Sequence, residues 1–395
     1  MKKYYLFLSL DKDFYLGDIY IDNIRGEEQF SFAFSDEYLS GKDHIFLDPN
    51  LFLYKGRQYG LFGFLQDMCP DRFGRMLITK RQNDLALKNK QTPKNLLLSD
   101  YLLLVNDKTR MGAFRLKKDK DGEFLNNVED AIPPYIYLRD IEYASRKLEE
   151  EGVITEEIYQ KLFLPGSSLG GARPKANIYF NDEVYIAKFP SKNDSYDVEK
   201  YESIALAIAE KCGIDTPKFK LEKYSDQGST LLVKRFDRAK GKRKHYLTMM
   251  SVLGAKDGQS ENYSYLDMVD AVVAYCKNAS NNLHELYRRL VFSYLINNTD
   301  NHLRNHALLY SDGGYMLSPI YDINPTFYET DFALPLLLNK SPSKEAILAD
   351  AHYYGLTFDD AKKIYEQIGK IILEELEKYS SKEISTLKTI TKSRL

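Results

Sequence analysis

The chain has 395 residues, enough for two or three domains with buried cores, and its 55 Lys and Arg against 57 Asp and Glu leave a formal charge of −2. That balance argues against a protein built chiefly to coat nucleic acid, because neutralising backbone phosphates takes an excess of cations. Cys69, Cys212 and Cys276 stand far apart and cannot all pair, which suits a reducing cytosol and inert thiols with no zinc module. The apolar run Tyr4 to Leu10 is too short for a secretory signal and has no small-residue cleavage site after it. No stretch reaches transmembrane length, so a cytoplasmic protein without membrane association is expected.

From the N-terminus, Tyr4 to Leu10, Phe14 to Ile21 and Phe30 to Phe34 alternate or run apolar at strand length, with Gly17 and Gly26 as punctuation. Cys69 to Ile78 reads as a turn into a basic helix, and Arg110 to Arg115 follows a long helical pattern. The composition turns polar from Asp119 to Asn126, a candidate boundary. Beyond it the pattern is α+β. Ser167 to Ala176 is a small-residue loop in which Gly170 and Gly171 allow backbone amides to approach phosphate oxygens. The loop matches neither G-x-x-x-x-G-K-[ST] nor G-x-G-x-x-G, so alone it is a weak signal.

Two strand patterns, Ile178 to Phe180 and Val184 to Phe189, flank Asn181-Asp182-Glu183 and predict a hairpin. Lys188 lies on its second strand among apolar neighbours, where an ammonium can reach α- and β-phosphates; the bland alternative is a snorkelling edge lysine. A helix is expected from Val198 to Lys211, stopped by Gly213 and Pro217. Within it either Glu199 or Glu202 could pair with Lys188, and helix geometry does not choose between them. Thr230 to Val233 is a further strand. The segment Lys234, Arg235, Phe236 that follows sits where a hinge backbone would hydrogen-bond an adenine edge, although Arg235, Asp237 and Arg238 could equally make a surface ion-pair knot.

The remainder reads as helical around one hairpin. Lys240 to His245 is a short basic run, read as a solvated loop. Asp300 and Asn305 have the spacing of a kinase catalytic loop, D-x-x-x-x-N. The hairpin Ala307 to Tyr310 and Tyr315 to Leu317, turning at Ser311-Asp312-Gly313-Gly314, would then return Asp322 towards the same phosphates. On this reading Asp300 takes the acceptor hydroxyl's proton, while Asn305 and Asp322 hold Mg²⁺ on ATP. For an isolated D-x-x-x-x-N, backbone capping by Asn and Asp side chains would explain the residues better; the second aspartate beyond the hairpin shifts the balance. His302 and His306 are spaced i, i+4 as in some zinc sites, but the stretch reads as a loop and lacks a third ligand. Thr357 and Asp360 form a capping box for the final helix, whose stripe Ala361, Ile364, Ile368, Ile371, Ile372 and Leu376 is expected to be buried.

Taken together, Pro70 to Arg75, Arg110 to Arg115, Ser168 to Lys175, Ala187 to Pro190, Val233 to Arg238, Asn298 to Asn305 and Tyr321-Asp322 occur in the order seen in HipA-type toxin kinases, and the chain resembles that family over nearly its whole length. The resemblance implies an α+β, two-lobed, protein-kinase-like fold. Its parts would be a β-rich N-terminal subdomain at 1–118, a small lobe at 119–238 and a mainly helical lobe at 239–395. It implies ATP and Mg²⁺ as cofactors, Asp300 as catalytic base, and Asn305 and Asp322 as metal ligands. The ATP contacts implied are Ser168, Gly170, Gly171, Lys188, Lys234, Arg235, Phe236, His302, Asn305 and Asp322, with Ser168 also the self-phosphorylated residue that switches the enzyme off. A helix-turn-helix antitoxin partner is implied too, with DNA reached only through it, and a host translation protein such as an aminoacyl-tRNA synthetase as substrate. Lys234 stands where Glu is frequent in the family, and Arg173 where Gln is. The rival reading is a degenerate nucleotide-binding partner of an antitoxin; the joint presence of Lys188, Asp300, Asn305 and Asp322 argues against it.

Overall fold

A computed structural model describes the chain apart from residues 153–154, 156–158, 167, 170 and 338–340. It divides into two compact units, one made of Met1–Glu199 with Lys218–His245, the other of Lys200–Pro217 with Tyr246–Leu395.

Among the described residues, the first unit holds two antiparallel sheets of four or more strands. Strands β1 (Lys2–Ser9), β2 (Asp13–Ile24), β3 (Glu27–Phe34), β4 (Gln58–Tyr59) and β5 (Phe114–Lys117) pair in the order β4-β3-β2-β1-β5. Gly26 makes the expected turn, but Gly17 lies inside β2. There a β-carbon would meet the carbonyl of Ala33 on β3, so the glycine permits close strand approach and does not end the strand. The basic helix is α1 (Arg72–Lys88), begun by Asp71 accepting from the Arg72 amide. The long helical pattern before Arg110 reduces to α2 (Leu98–Leu104), seven residues.

The second sheet, β6 (Lys175–Phe180), β7 (Glu183–Lys188), β8 (Phe219–Ser225) and β9 (Gly228–Lys234), has the order β6-β7-β9-β8. Asn181 and Asp182, both with positive φ (50° and 58°), form the two-residue turn between β6 and β7. Such a turn matches the right-handed strand twist and fixes the pairing register. The core of this part packs Phe73, Leu77 and Ile78 of α1 and Ile141, Ala144 and Leu148 of α3 (Leu138–Glu151) against Ala176, Ile178, Ala187 and Leu232 of the sheet. Helix α4 (Val198–Lys211) ends as expected, with Gly213 at φ +72°. Its first two residues belong to the first unit and the rest to the second.

In the second unit β10 (Tyr246–Thr248), β11 (Ala307–Ser311) and β12 (Gly314–Leu317) form a small antiparallel sheet, with Asp312-Gly313 as the tight turn. Helices α5 (Tyr265–Tyr275) and α6 (Ala279–Leu295) lie in the chain between its first and second strands, and α6 is buried along most of its length. Helix α7 (Phe358–Leu376) starts at Thr357, whose side chain accepts from the Asp360 amide. Ala361, Ile368, Ile372 and Leu376 are buried, with Ile364 and Ile371 at the margin of the stripe. It is not the last helix: α8 (Lys382–Arg394) follows, capped by Ser381. Its mixture of threonines, serines and lysines conceals the helical period in the sequence. Among the described residues no helix is long and apolar enough to cross a membrane. Burial pushes the thiols of Cys212 and Cys276 up to about 12, so both are poor nucleophiles at neutral pH.

Candidate active site

In the first unit the small-residue loop is tied to the start of α1. The Gly171 amide donates to Asp71 Oδ2 at 3.1 Å, and the Phe73 amide donates to the Gly171 carbonyl at 2.9 Å. Gly171 has φ +76°, a conformation glycine adopts without strain. Its N–H was expected to face phosphate; in this structure it serves Asp71 instead. Ser168 is buried, and its hydroxyl accepts from Asn177 Nδ2 at 3.3 Å. Gly170 lies outside the described residues.

The hairpin register sets Lys175 of β6 directly opposite Lys188 of β7. Opposed residues of antiparallel strands share a face, so the two lysine side chains lie on the same side of the sheet. A β-carbon on Gly171 would lie 2.7 Å from Lys175 Nζ, which places this ammonium at the small-residue loop.

Arg173 is bound on two sides. It contacts Asp194 through Nη1 and Nη2, the latter at 2.6 Å, and Glu199 through Nε (3.1 Å) and Nη2 (2.7 and 3.0 Å). Glu199 is therefore Arg173's partner, and burial pushes its carboxyl up to about 7 in spite of that guanidinium. The departure from Gln at position 173 accordingly brings two carboxylates with it.

The Val233–Arg238 strip differs from a bare hinge. The Lys234 amide donates to Lys218 O at 2.8 Å and the Arg235 amide to Val184 O at 2.9 Å, so these donors belong to the sheet and do not serve an adenine edge. The Lys234 ammonium pairs with Glu183 at 2.8 Å, a local reason for a lysine there. The expected ion-pair knot exists but is buried, not on the surface. Asp237 is bound by Arg235 at 2.7 Å, by Arg238 at 2.8 Å and by the Gly112 amide at 2.6 Å. Burial alone would raise the Asp237 carboxyl, but the two guanidinium groups hold it well below the usual carboxylate range. Arg235, Arg238 and Arg243 also all donate to the backbone carbonyl of Arg110, at 3.3, 2.5 and 3.3 Å. The Arg235 side chain is thus a structural anchor. Phe236 is half-buried.

In the second unit Asp300 is exposed, at the end of a loop whose preceding residues are buried. Asn305 is buried, and its Nδ2 donates to the Asp300 carbonyl at 3.1 Å, closing the five-residue span on itself. That bond uses the amide nitrogen and leaves the Asn305 side-chain oxygen as the metal-type donor. The Tyr321 hydroxyl donates to Arg304 O at 2.7 Å, drawing the residue before Asp322 to the residue before Asn305. Asp322 has φ +57°, the left-handed region, which a non-glycine residue occupies at a cost and which is concentrated at functional sites. An amide oxygen and a carboxylate are hard donors that fit Mg²⁺, which completes its shell with water and phosphate.

The histidines do not make a metal pair. His302 and His306 flank a single 3₁₀ turn in extended conformations, with φ −116° and −124°, so no helix face joins them. His302 Nδ1 is buried without a hydrogen bond in the structure, and the residue helps shape the loop through its carbonyl, which accepts from the Asn305 amide at 2.8 Å. His306 packs edge-on against Tyr265, and burial, with Arg289 and His302 nearby, pushes its pKa down to about 3.

Sequence reasoning missed Lys175, Asp71 and Asn177. Lys175 was within reach: counting back from the Asn181-Asp182 turn pairs it with Lys188. Asp71 sits in a motif noted for its order along the chain, but nothing local announces a contact one hundred residues away.

With this geometry in place, the comparisons with known proteins are specific. Residues 167–376 match the family described as HipA-like C-terminal domain, and the chain belongs to that family. Two curated relatives are a "Putative kinase" of Haemophilus influenzae, 26% identical over 243 residues (53% of this chain, 71% of that protein), and "Putative kinase Y4dM" of Sinorhizobium fredii, 28% identical over 204 residues (45% and 49%). The match spans about half the length of the second. Among solved structures, HipA of the Shewanella oneidensis MR-1 toxin–antitoxin system, determined with HipB and its operator DNA, matches 99% of this chain and 96% of that one with a TM-score of 0.71 at 16% identity. The fold is therefore the α+β fold of HipA.

Proposed function

We propose that the protein is a Mg²⁺- and ATP-dependent serine/threonine protein kinase, the toxin of a toxin–antitoxin pair, that phosphorylates a host translation protein. The observation that carries this reading is the set Asp300, Asn305 and Asp322, with Asn305 bonded to the Asp300 backbone and Asp322 in a left-handed conformation. The kinase names of the relatives and the HipA fold support it. On this reading Asp300 orients the acceptor hydroxyl and takes its proton, and the Asn305 and Asp322 oxygens would hold Mg²⁺, which would supply charge neutralisation for phosphoryl transfer. Lys188, with Lys175 beside it, holds the α- and β-phosphates. Phe236 and the carbonyls of the 234–236 strip serve the base. The rate comes from positioning and charge neutralisation, not from covalent chemistry on the protein.

The antitoxin partner is proposed from the Shewanella complex, in which HipA is bound with HipB and operator DNA. The division into an N-terminal subdomain, a small lobe and a helical lobe remains part of the same proposal. Incubation of the purified chain with γ-labelled ATP, Mg²⁺ and a bacterial lysate tests it. Label on protein, absent from the Asp300→Asn variant, is the expected result; equal labelling by both, or none, overturns the reading.

A further inference from the structure

The three residues before Asp300 are each fastened to the segment that follows Asp322. Asn297 Nδ2 donates to Thr326 O at 2.9 Å and to Glu329 O at 3.0 Å, and the Thr326 amide returns a bond to Asn297 O at 2.9 Å. Asn298 Oδ1 accepts from the Asn324 amide at 3.1 Å. The Thr299 and Thr326 hydroxyls are hydrogen-bonded at 2.8 Å, and Thr299 O accepts from the Ala333 amide at 2.9 Å. All three residues are buried, and Asn297 has φ +60°. Bonds repeated at three successive residues fix one strand of chain against another far better than one bond would, because each removes the slack left by the others.

One side chain closes this ladder from outside. Arg394, in the last turn of α8, donates through Nη2 to Asn297 Oδ1 at 2.8 Å and through Nη1 to the Tyr294 carbonyl at the end of α6. Its guanidinium lies over the Tyr294 ring, 4.5 Å from the centroid, which fixes its plane. Asn297 thus spends its amide nitrogen on the post-Asp322 segment and its oxygen on Arg394. With the oxygen held, the amide cannot flip to present the wrong atom to Thr326 and Glu329.

We propose that Arg394, acting through Asn297 and Thr326, is a positioning residue that holds Asp300 in register with Asp322. The inference rests on the reading of Asp300 and Asp322 given above. It also brings α8, which lies beyond the residues matched to the family, into the catalytic apparatus.

The test uses the full chain with Arg394→Ala, Arg394→Lys, Thr326→Val and, as a control on the same helix, Lys388→Ala, which breaks an exposed pair with Glu377. Arg394→Ala and Thr326→Val should lower kcat by about ten- to a hundredfold while KM for ATP stays within about twofold, the pattern of misplaced rather than missing groups. Arg394→Lys should recover part of the loss and Lys388→Ala should match the wild type. Amide hydrogen exchange should quicken at 297–305 and 322–333 together in Arg394→Ala. Wild-type kcat in Arg394→Ala and Thr326→Val overturns the inference, as does a loss that Lys cannot recover and that tracks melting temperature alone. If the wild type transfers no phosphate, the functional reading fails by itself, and the exchange arm still decides whether Arg394 couples the two segments.

Discussion

Lys175 and Lys188 are cross-strand partners, five residue pairs back from the tight turn that joins β6 to β7. Two ammonium groups set opposite one another are worth less to the folded protein than a neutral pair, by some tenths of a kcal/mol to about 1 kcal/mol. On the proposed reading both face the phosphates of ATP.

The first prediction follows from that pair. Lys175→Met and Lys188→Met should each weaken binding of a non-hydrolysable ATP analogue, measured by titration calorimetry with Mg²⁺, while leaving adenosine binding unchanged. Equal losses for adenosine and the ATP analogue would detach these lysines from phosphate.

The residues proposed as metal ligands can be told apart from the proposed base. Asp322→Ala and Asn305→Ala should abolish phosphoryl transfer and flatten the Mg²⁺ dependence of nucleotide affinity. Asp300→Ala should bind Mg²⁺ and the ATP analogue like the wild type and fail to turn over. Mg²⁺-dependent binding that survives in Asp322→Ala removes Asp322 from the metal site.

Ser168 makes a third case. With 4% of its surface exposed and its hydroxyl held by Asn177, it cannot meet a phosphoryl donor without leaving its place. A phosphate there would bring about −1.5 to −2 charges and cannot return to the pocket a hydroxyl filled. Incubation with Mg-ATP should add one phosphate mapped to Ser168 by peptide mass, and the modified protein should lose ATP binding. A Ser168-phosphorylated form that binds ATP normally would end the proposal.

The buried knot at Asp237 gives a stability prediction. Asp237→Asn removes the charge that two buried arginines face and should cost about 3–5 kcal/mol in urea unfolding at pH 7. The wild-type carboxyl lies below its unfolded value, so its contribution is fully present above about pH 4 and is lost only as the pH falls towards the depressed folded value. The difference between wild type and variant should therefore be constant from pH 5 to 8 and shrink at lower pH. A gap that grew on acidification would contradict the assignment.

Much of the fold was legible because its signals are local. The Asn181-Asp182 and Asp312-Gly313 turns, the Thr357 cap and the Gly213 stop each rest on a few neighbouring residues. The kinase-like spacing from Asp300 to Asn305 is local too. What stayed hidden depends on contacts distant in sequence. Nothing around Arg235 says that its guanidinium turns inward to Asp237, Asn177 and two carbonyls near residue 110. Nothing around Gly171 says that its amide answers to Asp71. Helix α8 was overlooked because its polar residues blur the period, although its last turn reaches Asn297.

Three arginines meet at the carbonyl oxygen of Arg110, an atom that every amino acid supplies. What they recognise is a place in space, not a kind of side chain. Replacements at position 110 that keep the main chain in its course preserve all three bonds, whereas a single residue inserted or deleted nearby would displace the acceptor from all of them at once. Over evolutionary time this stretch should therefore hold its length.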